Sequence, residues 1–163
     1  MLYERYYAYG IGICYRYAYN REDAVEILND GFMNVFDNLQ RYNSDRPFKP
    51  WFRKILVNKA IDYYRKNKRH QQTEQLGNEH TEVYHTEPIY NMDRDDLMNL
   101  LNGLPEAQRL VFNLYEIEGY AHDEIGGMLK MSPNTSRSYL ARAKQRLRMK
   151  YKELYPDDYE QII

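Results

Sequence analysis

The sequence predicts an all-α protein: two small helical domains joined by a flexible linker. Three observations carry that prediction. Apolar residues recur at three- and four-residue steps through most of the chain, the period of one buried helix face. No pair of alternating runs is joined by a hairpin turn, and no internal repeat is present. Residues 71–92, between the two periodic halves, hold few aliphatic residues and keep no period. A length of 163 residues accommodates one domain or two small ones.

Residues 2–18 are rich in Tyr and small apolar residues with few charges, and read as a largely buried helix. Because the chain enters this helix at once, the native N-terminus has room to be longer. Asn20, followed by Arg21, Glu22 and Asp23, is a helix start: the Asn side chain caps the first turn and the acids favour its positive end. Ala24, Ile27, Leu28, Phe32, Val35, Phe36 and Leu39 keep helical spacing to about Gln40. Asn43 to Pro47 is turn chemistry, and a third helix opens near Pro47 or Pro50. It carries Trp51, Phe52, Ile55, Leu56, Ala60, Ile61 and Tyr64. Trp51 reads as a core anchor rather than a stacking platform, because a Trp has so much area to bury.

After the linker, helix signals return at Asp93–Asn102. Pro105 opens a helix that Gly119 terminates. A short helix, His122–Lys130, leads through a turn to a long one from Pro133 to about Tyr155, with Ser132 as its cap. Gly126-Gly127 is unusual in the short helix, since each glycine weakens it. The expected organisation is a first domain 1–70, a linker 71–92, a second domain 93–155 and a tail 156–163.

The net charge of −1 conceals strong segregation. Residues 41–70 hold ten Lys and Arg against Asp45 and Asp62, whereas 71–99 hold seven acids against Arg94 alone. From Ser132 to Lys152 there are seven basic residues and no acid. Two basic blocks separated by an acidic one suit two contacts with one polyanion, and the near-neutral total excludes a bulk charge-coating protein. The single cysteine, Cys14, cannot form an internal disulfide and reads as a core residue in a reducing compartment. No apolar run approaches the roughly 20 residues of a membrane span. No secretory signal opens the chain, so a cytoplasmic location is expected. The histidines His70, His80, His85 and His122 are scattered away from Cys or acids at metal spacing. There is no phosphate loop and no nucleophile–base grouping. No metal, no cofactor and no enzymatic activity are expected.

The long basic helix has an apolar stripe of Leu140, Ala143, Leu147, Tyr151 and Leu154. On the opposite face Asn134, Arg137, Ser138, Ala141 and Arg142 share its first two turns, where a recognition helix meets base edges. Arg137 and Arg142 suit guanine, and Ser138 is an adaptable donor or acceptor. Thr135, Lys144 and Arg146 are placed for phosphate contacts, which position without specifying. A basic amphipathic helix alone is better read as a solvated or partner-binding surface. The full helix–turn–helix run and the second basic block reverse that preference.

The segment Leu104 to Tyr120, LPEAQRLVFNLYEIEGY, followed by the helix pair, resembles region 4 of sigma-70-type transcription initiation factors. The chain is most similar to their extracytoplasmic-function (ECF) class, which keeps only regions 2 and 4. The resemblance implies −35 promoter recognition by Arg137, Ser138, Tyr139 and Arg142. Arg21 to Phe36, REDAVEILNDGFMNVF, resembles region 2.2, which implies that Asp30, Phe32 and Phe36 contact the polymerase β′ clamp. Core packing accounts equally well for either ring. Phe48 to Lys66, FKPWFRKILVNKAIDYYRK, resembles regions 2.3 and 2.4, which open and hold the −10 element.

Flipping a base out of the stack costs a few kcal/mol, so that site needs polar base contacts and a charged path for the strand. Asn58 and the 43–49 loop suit the first role. Arg53, Lys54, Lys59, Arg65 and Lys66 suit the second, with Tyr63 or Tyr64 to stack. The resemblance thus implies core RNA polymerase and promoter DNA as partners, the DNA duplex at −35 and melted at −10. An anti-sigma factor is a further partner of many relatives. Two other readings use the same residues: a helix–turn–helix regulator that does not dock on polymerase, and a helical adaptor for acidic partners.

Overall fold

The structure, a computed structural model, describes residues 1–74 and 98–154. Among these every regular element is helical. The expected linker beyond residue 74, the helix signals at Asp93 to Asp96, His80, His85 and the 156–163 tail lie outside the described residues. The chain divides into two compact units, with the division between residues 74 and 98.

Unit one is three helices, α1 (Leu2–Cys14), α2 (Arg21–Asp37) and α3 (Phe48–Glu74), with a 3₁₀ turn at Leu39–Arg41. The expected buried helix over 2–18 is shorter and amphipathic. It ends at Cys14, and Glu4, Arg5 and Ala8 face solvent. In a three-helix unit each helix can bury only one face, and the tyrosines satisfy this by packing their rings while several hydroxyls reach polar partners. The Tyr3 hydroxyl, for example, donates to Asn29 Oδ1 at 3.2 Å. Asn20 caps α2 as expected, accepting the Asp23 N–H at 2.8 Å. Helix α3 continues to Glu74, past the expected end of the first domain at 70.

The core is Ile27, Leu28, Phe32 and Val35 of α2 against Phe52, Leu56 and Ile61 of α3, sealed by Ile13 and Cys14 of α1. Burial pushes the Cys14 thiol up to about 12, as expected of a core residue rather than a nucleophile. Gly31 lies where α2 crosses α3, and a Cβ there would run into Leu56. A mid-helix glycine costs about 1 kcal/mol relative to alanine, and the close helix contact offsets that.

Unit two contains helical residues 98–102, α4 (Glu106–Phe112), α5 (His122–Leu129) and α6 (Pro133–Leu154). The sequence predicts α4 as one helix running on through Tyr115. Instead it widens into a π-helical turn over Asn113–Ile117, where the Glu118 N–H reaches back to Asn113 O at 3.0 Å. Leu101, Leu104, Leu110, Leu114, Ile125 and Leu129 pack with Leu140 and Ala143 of α6. The α6 apolar stripe is buried only at those last two positions. Leu147 and Tyr151 are half-buried and Leu154 is exposed, because α6 outruns the helices that support it.

Candidate nucleic-acid interface

Helices α5 and α6 form a helix–turn–helix whose turn is built by specific side chains. Lys130 is left-handed, at φ 54° and ψ 52°, and the Met131 N–H then donates to Gly126 O at 3.0 Å. The turn folds so tightly that a Cβ on Gly126 would lie 2.7 Å from Met131 O. The Glu124 carboxylate accepts the Ala121 N–H at 2.8 Å, closing the start of α5. Ser132 Oγ accepts the Thr135 N–H at 3.0 Å and starts α6. His122 Nδ1 lies 2.9 Å from the Oγ of fully buried Ser136, tying the two helices together. Its ring stacks on Tyr115 at 4.5 Å.

On the free side of α6, Asn134, Arg137, Ser138, Ala141, Arg142 and Arg146 are exposed, and Thr135 and Tyr139 are half-buried. The structure therefore brings the expected base-reading set to one solvated face. Arg137 Nη1 donates to Asn134 Oδ1 at 2.8 Å, which holds the guanidinium along the helix surface. Two of the expected phosphate contacts are already engaged within the protein. The Thr135 hydroxyl lies 2.9 Å from Ser132 Oγ, and Lys144 forms an ion pair with Glu116 of the π turn.

In unit one, Lys54, Asn58, Asp62 and Lys66 recur at four-residue steps and form an exposed edge of α3. Arg53, Lys59, Tyr63 and Arg65 border it half-buried. Tyr64 is only 6% exposed, so it is not a stacking platform: it lies on the α3 face that packs into the core. Tyr63 remains the candidate, though its hydroxyl donates to Asp23 Oδ1 at 2.6 Å.

The loop before α3 is preorganised. The Asp45 N–H donates to Asn43 Oδ1 at 2.9 Å, and the Tyr42 hydroxyl donates to the Arg46 carbonyl. Beneath it Trp51 is half-buried, 4.8 Å from Tyr42 and 5.7 Å from Phe48. It caps an aromatic cluster rather than anchoring the deep core.

Burial, and then the bond to Asp23, push the Tyr63 phenol up to about 12 from its usual 10. The folded state thus holds this proton more tightly than the unfolded chain does. Its contribution is intact below pH 10 and is lost as pH rises towards about 12. Urea unfolding followed from pH 9 to pH 11 is expected to fall less steeply with pH in Tyr63→Phe than in the wild type.

The outer face of α2 presents Asp30 and, at its C-terminal end, Phe36, which is 49% exposed. Phe32 is corrected from a contact residue to a core residue. It is 2% exposed, with ring centroids 4.6 Å from Tyr3 and 4.8 Å from Phe52. Tyr3 in the first turn of α1 covers Phe32, and Phe36 lies one helical turn beyond that cover. Met33 and Leu39, 60% and 46% exposed, extend the same apolar surface and were missed from the sequence. Leu39 keeps the spacing of the buried residues although it is exposed, and Met33 lies off that stripe, on the Asp30 side of the helix.

The family model described as Sigma-70 region 2 matches residues 2–70, and that described as Sigma-70, region 4 matches residues 94–147. The chain is 32% identical over 142 residues to the ECF RNA polymerase sigma factor SigE of Mycolicibacterium smegmatis. That match covers 83% of this chain, which spans about half the length of the relative, 54%. It is 23% identical to the ECF RNA polymerase sigma-E factor of Haemophilus influenzae, over 94% of this chain and 87% of that one. Among solved structures, the sigma factor RpoE from Bartonella quintana, in complex with the anti-sigma factor NepR, superposes with a TM-score of 0.54. Identity there is 21%, with 91% of this chain and 90% of that chain covered, a likeness of fold.

Proposed function

We propose, from the premise that this chain belongs to the sigma-70 family, that it is an ECF-type sigma subunit of RNA polymerase. Its two units work on separate stretches of promoter DNA. In this reading residues 1–70 are region 2, 71–92 the linker, 93–155 region 4 and 156–163 a tail. Helix α6 enters the major groove of the −35 duplex, where Arg137, Ser138, Tyr139 and Arg142 meet base edges and Arg146 meets the backbone. Unit one receives the opened −10 strand along the edge of Asn58, Arg53, Lys59, Arg65 and Lys66, with Tyr63 beside it. Asp30, Met33 and Phe36 dock on core polymerase, which performs the chemistry in the cytoplasm. An anti-sigma factor is a further partner in this reading, supported by the Bartonella quintana neighbour, which is itself bound to one.

One observation carries this reading: the Arg137–Arg142 face is solvated, opposite a buried Leu140–Ala143 seam, in a chain that matches both sigma regions in order. Reconstitution with core RNA polymerase tests it. Promoter-dependent initiation on genomic templates is expected, with competition against other sigma subunits. DNA binding without capture of core enzyme would instead mark a plain regulator.

Within this scheme, Arg142→Ala is expected to cost about 1–3 kcal/mol of −35 binding and to relax sequence preference where it reads. Arg146→Ala is expected to weaken all duplexes alike and to lower the salt slope by about 1. Binding titrations on matched and scrambled −35 duplexes separate the two.

A further inference from the structure

We infer that Glu116 is an internal rival of the DNA backbone: its carboxylate holds Lys144 in the free protein and thereby sets how strongly α6 grips a duplex. The inference rests on reading α6 as the DNA helix. Lys144 lies seven residues after Arg137, so the two share nearly one line along α6, about two turns apart. Arg137, Arg142, Arg146 and Arg148 on this helix are exposed, whereas the Lys144 ammonium is paired with Glu116 Oε1. Glu116 reaches it because α4 widens into the π turn Asn113–Ile117. Such a bulge rotates the residues that follow it, and bulges of this kind gather at working sites. Here the bulge aims an acid at the basic helix.

A merely structural clasp is the alternative, and exposure argues against it. The two side chains keep 42% and 33% of their surface in solvent, so the pair gains little in water and is easily exchanged. A phosphate offers Lys144 the same kind of partner, but leaving Glu116 returns that carboxylate to solvent with a cation of its own, which offsets the counterion released from the DNA. Glu116 is thus a positioning residue that acts on DNA through Lys144: the pair must open before this lysine contributes a backbone contact.

The test uses holoenzyme reconstituted from the full chain and core RNA polymerase, titrated on a promoter duplex from about 50 to about 200 mM salt. Wild type, Glu116→Gln, Lys144→Gln and the double variant are compared, with thermal melts of each. Glu116→Gln is expected to bind more tightly at low salt, with a slope steeper by about 0.9, so that affinity falls about threefold more across this range. Lys144→Gln alone is expected to change the slope little, yet to abolish the gain in the Glu116→Gln background. An unchanged slope in Glu116→Gln, with only a lower melting point, overturns the inference and leaves a clasp. So does a slope lowered by about 1 in Lys144→Gln alone, since Lys144 would then already lie on phosphate. A wild-type holoenzyme that binds promoter duplex without steep salt dependence removes the DNA-helix reading and this inference with it.

Discussion

Replacing Phe36 by alanine is expected to weaken capture of core RNA polymerase by about 2 kcal/mol or more, roughly 30-fold in Kd, while leaving thermal unfolding nearly unchanged. Replacing Phe32 is expected to do the reverse. The two rings are one helical turn apart and their centroids lie 6.3 Å from each other, yet Phe36 is half exposed and Phe32 is 2% exposed. A half-exposed aromatic ring with Met33 and Leu39 one turn to either side, and Asp30 one turn beyond Met33, is the composition of a binding hot spot: an apolar anchor with a charge at its rim. Its removal takes little from the fold, because half its area already faces water.

Phe32 touches Tyr3, Phe36 and Phe52, so its truncation leaves a cavity at the meeting point of all three helices and costs about 3–5 kcal/mol of unit-one stability. Fluorescence titration with core enzyme and thermal denaturation on both variants check the pair. Phe36→Ala losing stability at unchanged affinity would remove this surface from the docking proposal.

That contrast also shows what the amino-acid sequence reveals and what it withholds. Element identity was legible because it is local: the Asn20 cap, the Ser132–Pro133 start of α6, the turn residues at 43–47 and the three- and four-residue apolar steps each act within a few positions. The basic face of α6 was legible for the same reason. Whether an apolar residue on a helix meets core or solvent depends on a neighbour from elsewhere in the chain, and there the reading left Phe32 and Tyr64 open between core and contact. Phe32 and Tyr64 are buried because α1 and the core reach them, while Met33 and Leu39 are exposed because no other described residue covers them.

The same applies to charge. Arg109 sits fully buried, with its Nη1 donating to Asn102 Oδ1 at 3.0 Å, where composition alone suggests a surface cation. Lys144 reads as a free phosphate contact until the π turn brings Glu116 to it. A change of helical pitch inside one continuous run leaves no periodicity signal, since both forms keep the same apolar positions over so few residues.

The turn of the helix–turn–helix is the other place where a large effect is expected. On helix propensity alone, Gly126→Ala would stabilise α5 by about 1 kcal/mol. The structure predicts a loss instead. The added Cβ would meet Met131 O at 2.7 Å, a backbone atom that cannot rotate aside, with Pro133 N at 3.5 Å behind it. Relief requires α6 to move away from α5, giving up Ile125 and Leu129 packing and the His122–Ser136 bond that sets the angle of the helix.

Overpacking of this kind costs about 1–3 kcal/mol, with the upper end or beyond for Gly126→Val, whose branched side chain adds its own helix penalty. In the proposed −35 role, a displacement of α6 by about 1 Å would also lose the bidentate geometry that reading guanine requires. Both stability and −35 affinity are therefore expected to fall together. Lys130 is the counter-test. Its φ of 54° is costly for a side-chain-bearing residue, so Lys130→Gly is expected to be neutral or stabilising by up to about 1 kcal/mol, with affinity retained. Chemical denaturation and −35 duplex titration of the three variants decide the matter: a more stable Gly126→Ala would mean that the turn tolerates the methyl group and that close approach does not set the position of α6.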